Sequence, residues 1–224
     1  MHIALTGEPN LKAEMKARLA SGNNIEEFNI MEIDSLQNPF YDLVIDCSFD
    51  SNPSERWPYL SQINTQHFLL GSILTELSLW NWGSDERTRW GFCNIPGFIN
   101  RSHLEYSAPQ GNPMPSEWVL SLGYEAAIEV QDRVGLASPR VIAMIINEAY
   151  YTVQEGTATR EDIDMGMKLG TAYPLGPFEW TKKIGVHTVY TLLNQVYHDT
   201  QDERYKICNL LKTEAMQNRL ELNN

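Results

Sequence analysis

The sequence predicts an α/β fold: a parallel-sheet domain over residues 1–132, followed by an all-α domain over residues 133–224. Three observations predict it. Short apolar runs recur through the first half, separated by stretches long enough for crossover connections. The second half carries longer runs with apolar residues at helical spacing. Between the halves, Ser138-Pro139 has the chemistry of a helix start: a hydroxyl that caps, then a proline whose missing N–H would be unpaired anyway.

The strands come first. Residues 1–7, M-H-I-A-L-T-G, read as a strand ending in a glycine turn, and a polar amphipathic helix follows around 11–19. Residues 25–33 read as a second strand. The run Y-D-L-V-I-D-C at 41–47 reads as a strand buried on both faces. Residues 67–70 and 90–93 read as two more, and A-I-E-V at 127–130 as the last. Repeats of strand, helix and strand imply a parallel sheet.

The helices follow. From Ser138 the first runs through Val141, Ile142, Ala143, Met144, Ile145, Ile146, Ala149, Tyr150 and Val153, with Gly156 as its stop. Apolar residues fall on nearly every side, so burial all round is expected, with a partner subunit covering one side. A second helix starts at Thr159, whose spacing to Asp162 resembles a capping box. Glu161, Asp162 and Asp164 suit its positive end. Ile163, Met167 and Leu169 supply its apolar face, and Gly170 ends it. Tyr173-Pro174-Leu175-Gly176-Pro177 is a rigid turn, because two prolines fix φ. A third helix covers about 178–196, with a break expected near Gly185, and a fourth covers 204–220.

Bulk composition bounds the function. The 224 residues can bury a sizeable core. Seventeen basic against 29 acidic side chains give a net charge of −12. That argues against nucleic acid or an anionic membrane surface as the main partner. Cys47, Cys93 and Cys208 are odd in number and widely spaced, giving neither a disulfide framework nor a zinc pattern. No apolar run reaches membrane-spanning length, and the N-terminus opens directly into a strand-like run, so a cytoplasmic protein is expected. The six tryptophans are expected to build the core.

The stretch 132–197 carries a resemblance. It holds Asp132 at a strand end, a short link from Gly135 to Arg140, and a long helix containing N-E-A. Then come E-G-T-A-T-R-E-D-I-D, M-K-L-G and Y-P-L-G-P-F-E. In order and spacing these resemble the C-terminal helical domain of the 3-hydroxyacyl-CoA dehydrogenases. The D-L-V-I-D run at 42–46 is similar to that family's D-L-V-I-E strand. The resemblance implies a reduced Rossmann-like domain in front of the helices. It also implies NAD as cofactor, an acyl-CoA ligand, and a homodimer formed through the helical domain. Its reaction moves a hydride between NAD and C3 of a 3-hydroxyacyl-CoA, with a His as general base and a Glu orienting it.

The residues depart from that pattern at the sites of chemistry. A Rossmann turn reads G-x-G-x-x-G, whereas this one reads Gly7-Glu8-Pro9-Asn10-Leu11-Lys12. Only Gly7 remains as a cofactor-binding candidate. Glu8 brings negative charge to the diphosphate position and Pro9 lacks an N–H, which argues against ordinary NAD binding. Glu32 and Asp34 are candidates for the ribose-binding acid.

Aligning Gly91 on the family's G-x-H motif puts Cys93 at the His position and Glu105 at the Glu position. A neutral thiol is a weak base. His103, two residues before Glu105, would share its face on a strand and is the candidate substitute. Pro139 takes the place of the family's Asn, beside Ser138, and Ser72 or Thr75 corresponds to a family hydroxyl. His2, His67, His187 and His198 show no partner spacing.

The expectation is a diverged or non-catalytic relative with a cleft for an acyl-CoA or another small ligand. An active NAD-dependent dehydrogenase using His103 and Glu105 is the alternative. A protein-interaction module using the apolar helical surface is the second.

Overall fold

A computed structural model describes residues 1–30 and 39–222. The chain divides into two compact units, Met1–Leu136 and Ala137–Asn224. Residues 133–136 go with the sheet because the Gly135 N–H donates to the Ile73 carbonyl (2.6 Å) and the Val134 N–H to Glu76 Oε1 (3.4 Å).

The first unit is a seven-stranded sheet: β1 (His2–Thr6), β2 (Asn24–Glu27), β3 (Leu43–Asp46), β4 (His67–Gly71), β5 (Thr88–Phe92), β6 (His103–Ser107) and β7 (Ala126–Val130). Their order is β2-β1-β3-β4-β5-β6-β7. The first five pair in parallel, as expected, with Ala4 opposite Val44 and Val44 opposite Phe68. The last two run parallel to each other and antiparallel to β5, with Gly91 opposite Ser107. The reversal follows from the connection: the loop between Phe92 and His103 is too short to carry a helix back across the sheet.

Helices cover both faces. Leu11 and Met15 of α1 (Pro9–Arg18) and Val119 of α3 (Ser116–Ser121) pack with Ile3, Leu5, Leu43, Ile45, Leu69, Trp90 and Phe92. On the other face, Leu60 of α2 (Pro53–Leu60) packs with Ala4, Val44, Phe49, Phe68 and Leu70. Alternate residues of each central strand thus enter opposite cores, which is why β3 is buried along its whole length. Trp90 and Trp180 are buried; Trp57, Trp82 and Trp118 are half-buried and pack against the cores, and Trp57 and Trp82 also face the Arg89 guanidinium. The second strand ends at Glu27, short of the expected 25–33, since residues 28–30 leave the sheet; residues 31–33, with Glu32 and Asp34, lie outside the described residues.

The second unit holds α4 (Ser138–Gln154), α5 (Arg160–Thr171), α6 (Pro177–Ile184), α7 (Val186–Thr200) and α8 (Asn209–Leu222). Ile142, Ala143, Ile146 and Tyr150 of α4, Trp180 of α6, Leu192 and Leu193 of α7, and Leu211 and Ala215 of α8 are buried there. Gly185 breaks α6 from α7 at φ +94°, a conformation that suits glycine. Thr159 caps α5 through the Asp162 N–H (3.2 Å).

Several helical expectations need correction. Ala137, not Ser138, is the N-cap of α4, because Ser138 already lies in the first turn. Within the single chain one face of α4 stays open, with Val141 58% exposed. Leu169 does not join the core; it is 81% exposed, while Ile163 and Met167 are half-buried. Helix α5 passes Gly170 and ends at Ala172, which takes the left-handed conformation at φ +55°. Helix α8 starts at Asn209, and Arg204 sits in a separate 3-10 turn capped by Asp202.

Candidate functional site

In the sheet unit the candidate residues gather at the carboxyl ends of the parallel strands. Cys93 follows directly on β5, and its N–H donates to the Glu105 carbonyl on β6 (3.2 Å). Continuing the register from Gly91–Ser107 and Phe92–Tyr106 sets Cys93 opposite Glu105. Leu104 and Tyr106 enter the core beside Phe92, so His103, Glu105 and Ser107 share the other face of β6. Cys93 and Glu105 thus form a cross-strand pair. Burial pushes the Cys93 thiol up to about 12, and the Glu105 charge adds to that rise against the opposing Ile95 amide. His103 begins β6 at the surface, and its Nδ1 lies 2.7 Å from the Ser102 hydroxyl.

Gly7 follows β1 at φ +130°. A Cβ there would lie 2.9 Å from Cys47 Cβ and 3.1 Å from Ser48 Oγ, so the turn is packed against the end of β3. The Glu8 N–H donates to Ser48 Oγ (2.8 Å). Asp46, fully buried at the end of β3, accepts two bonds from Arg56, from Nε and Nη2 at 2.7 Å each, and one from the Ser48 N–H (2.9 Å).

Sequence reasoning missed Glu27, the last residue of β2, which stands where a Rossmann fold often holds the ribose. Lys16 bonds it and Lys12 Nζ lies 3.8 Å away; the Lys16 hydrogen bond holds its carboxyl below the usual range. Only the strand boundary could have singled it out.

The loop after β4 carries the two candidate hydroxyls, and they have different surroundings. Ser72 is fully buried; a Cβ on Gly91 would meet its Oγ at 2.2 Å and Ser107 Oγ at 2.5 Å, so Gly91 makes room for both hydroxyls. Thr75 favours the charged form of Asp50, a carboxyl that sequence reasoning also missed. Asp50 Oδ2 accepts the Leu74 N–H (2.9 Å), and burial pushes its pKa up to about 7. Asn94, after β5, donates from Nδ2 to the Cys47 carbonyl (3.1 Å). Asp132, after β7, accepts the Ser107 hydroxyl (3.0 Å) and the Ser78 N–H (2.6 Å), tying the end of β6 to the loop after β4. Pro139 lies in the first turn of α4, in the helical unit. Among the described residues, no group of three or more His, Cys, Asp or Glu side chains could hold a metal ion.

Comparisons with known proteins agree with this division. Residues 135–224 match the family model of the 3-hydroxyacyl-CoA dehydrogenase C-terminal domain. A 3-hydroxyadipyl-CoA dehydrogenase of Escherichia coli is 38% identical over 92 residues, 41% of this chain and 19% of that protein. The mitochondrial hydroxyacyl-coenzyme A dehydrogenase of Mus musculus is 34% identical over 158 residues, 67% of this chain and 50% of that protein. Each match therefore spans half or less of the curated relative. The crystal structure of an (S)-3-hydroxybutyryl-CoA dehydrogenase from Ralstonia eutropha superposes with a TM-score of 0.70 at 19% identity, covering 95% of this chain and 92% of that one. At that identity the likeness is one of fold. The helical unit is a 3-hydroxyacyl-CoA dehydrogenase C-terminal domain, and the chain is similar in sequence to members of that family.

Proposed function

We propose that this relative of the 3-hydroxyacyl-CoA dehydrogenases is a diverged, non-catalytic member that binds an acyl-CoA or a similar small ligand. The observation that carries the reading is Cys93. It stands opposite Glu105 where the family's base would stand, and its thiol stays protonated at every physiological pH. A protonated thiol accepts no proton from a substrate hydroxyl, so the oxidation lacks its base. The ligand class comes from the relatives, which are named for CoA thioesters. A homodimer through the helical unit belongs to the same reading, and the exposed Val141, Met165 and Leu169 support it. A cytoplasmic location fits three buried, unpaired cysteines.

Two measurements test this. Acetoacetyl-CoA is expected to raise the thermal midpoint by mass action. Incubation with 3-hydroxybutyryl-CoA and NAD is expected to yield no NADH. Turnover that disappears in His103→Ala would overturn the reading in favour of an active NAD-dependent dehydrogenase, with His103 as base beside Glu105 on one face of β6. No shift with the CoA ester would overturn the ligand and favour a protein-interaction module.

A further inference from the structure

The strand order turns back at β1: the chain leaves β1 for β2 on one side, and β3 lies on the other. In open α/β sheets, ligands lie outside the carboxyl ends of the strands at such a point. A diphosphate there is held by backbone N–H groups of the turn after the first strand and of the helix that follows. In this chain one of those groups is committed and another is missing. The Glu8 N–H is given to Ser48 Oγ across the switch point. Pro9, the first residue of α1, has no N–H. Glu8 leaves an exposed carboxylate beside the same turn.

The closure continues along the edge. The Leu74 N–H, in the loop after β4, is given to Asp50, which follows β3, and the Ile73 amide and Thr75 hydroxyl also favour the charged Asp50 carboxyl. The Asn94 side chain, after β5, reaches back to the Cys47 carbonyl and fills the space beside Gly71, where a Cβ would meet it at 2.5 Å. Glu14 of α1 accepts the Gly97 N–H (2.8 Å) and the Asn100 N–H (3.1 Å), drawing the loop after β5 onto the helix. Side-chain bonds thus connect the ends of β1, β3, β4 and β5 to one another.

We propose that the dinucleotide crevice of this sheet is occupied by the chain itself: the Ser48 hydroxyl takes the Glu8 amide of the first turn, and side chains after β3 and β5 bridge the neighbouring strand ends. The residues present at that turn therefore do not fit NAD. The inference rests on contacts separate from Cys93, so it stands or falls apart from the proposed function.

Native-state hydrogen exchange on the full chain, with and without millimolar NADH, tests it alongside a thermal titration. The Glu8 and Leu74 amides are expected to be protected in the free chain and unchanged by NADH, with no shift in midpoint. Ser48→Ala is expected to speed exchange at Glu8, and Asp50→Ala at Leu74, by about tenfold, the loss of one net hydrogen bond. Unprotected Glu8 and Leu74 amides in the free chain would overturn the inference. So would a midpoint raised by NADH, a measurement on the unaltered chain that does not depend on either variant folding. NADH binding without turnover would sink this inference while leaving the non-catalytic reading intact, and the acetoacetyl-CoA titration reads the ligand separately.

Discussion

The sheet unit and the helical unit of this chain have kept different things. The helical unit keeps its family's sequence, and the family model matches it from residue 135 onwards. The sheet unit keeps the strand order and the two covered faces, while the polar groups at its carboxyl edge bond one another. The difference has a physical cause. Helices α4, α6 and α7 pack through buried side chains recurring along their length, so those faces answer to the core. A parallel sheet packs through the middles of its strands and presents chemistry at its ends. Strand ends can therefore exchange ligand contacts for internal ones without altering the fold.

That contrast can be broken most forcefully at Asp46. If the carboxyl edge is now structural, Asp46→Ala leaves a half-buried Arg56 without its carboxylate and costs about 3 kcal/mol, read by chemical denaturation. A near-neutral result would make the edge dispensable. The matching cut in the helical unit is Leu193→Ala, in a fully buried position of α7. It should cost about 2–5 kcal/mol by cavity formation. Comparable losses at the two sites would mean that a polar edge and an apolar core now serve stability alike.

The third test uses pH. Asp50 is pushed up to about 7 by burial, so its stabilising contribution is fully present below the ordinary carboxylate range and is lost as pH rises through about 7. Asp50→Asn should flatten that part of the stability profile, and a wild-type profile already flat there would contradict the burial described. The smallest effect belongs to the local signals of the helical unit. Thr159→Ala should remove the α5 cap and cost about 1 kcal/mol, visible as a lowered thermal midpoint.

How much was legible in the sequence follows the same division. Thr159, Gly156 and Gly185 act within a few residues of themselves, and the structure finds them at a cap, a stop and a break as their chemistry predicts. The strands at 41–47 and 67–70 were legible because a strand buried on both faces is apolar without interruption. Ser138 misled because Ala137 can hold the cap position without a capping side chain. Cys93 and Glu105 were singled out by the family motif, and their pairing across an antiparallel connection was not legible in a sequence read as a parallel sheet. Ser48, Asp50 and Glu27 could not. Ser48 meets Glu8 across 40 residues of chain and Asp50 meets Leu74 across 24, and no local pattern announces either meeting.

The two strands at the ends of the sheet order carry one further consequence. Strand β2 reads N-I-E-E, with Glu26 and Glu27 side by side, and β7 reads A-A-I-E-V, with Glu129 exposed beside Ile128. An open strand edge invites another chain to add to it, and charge on the edge discourages that addition. Two copies meeting at these edges would set carboxylate against carboxylate. Growth of the sheet from one molecule into the next is thereby discouraged at both ends.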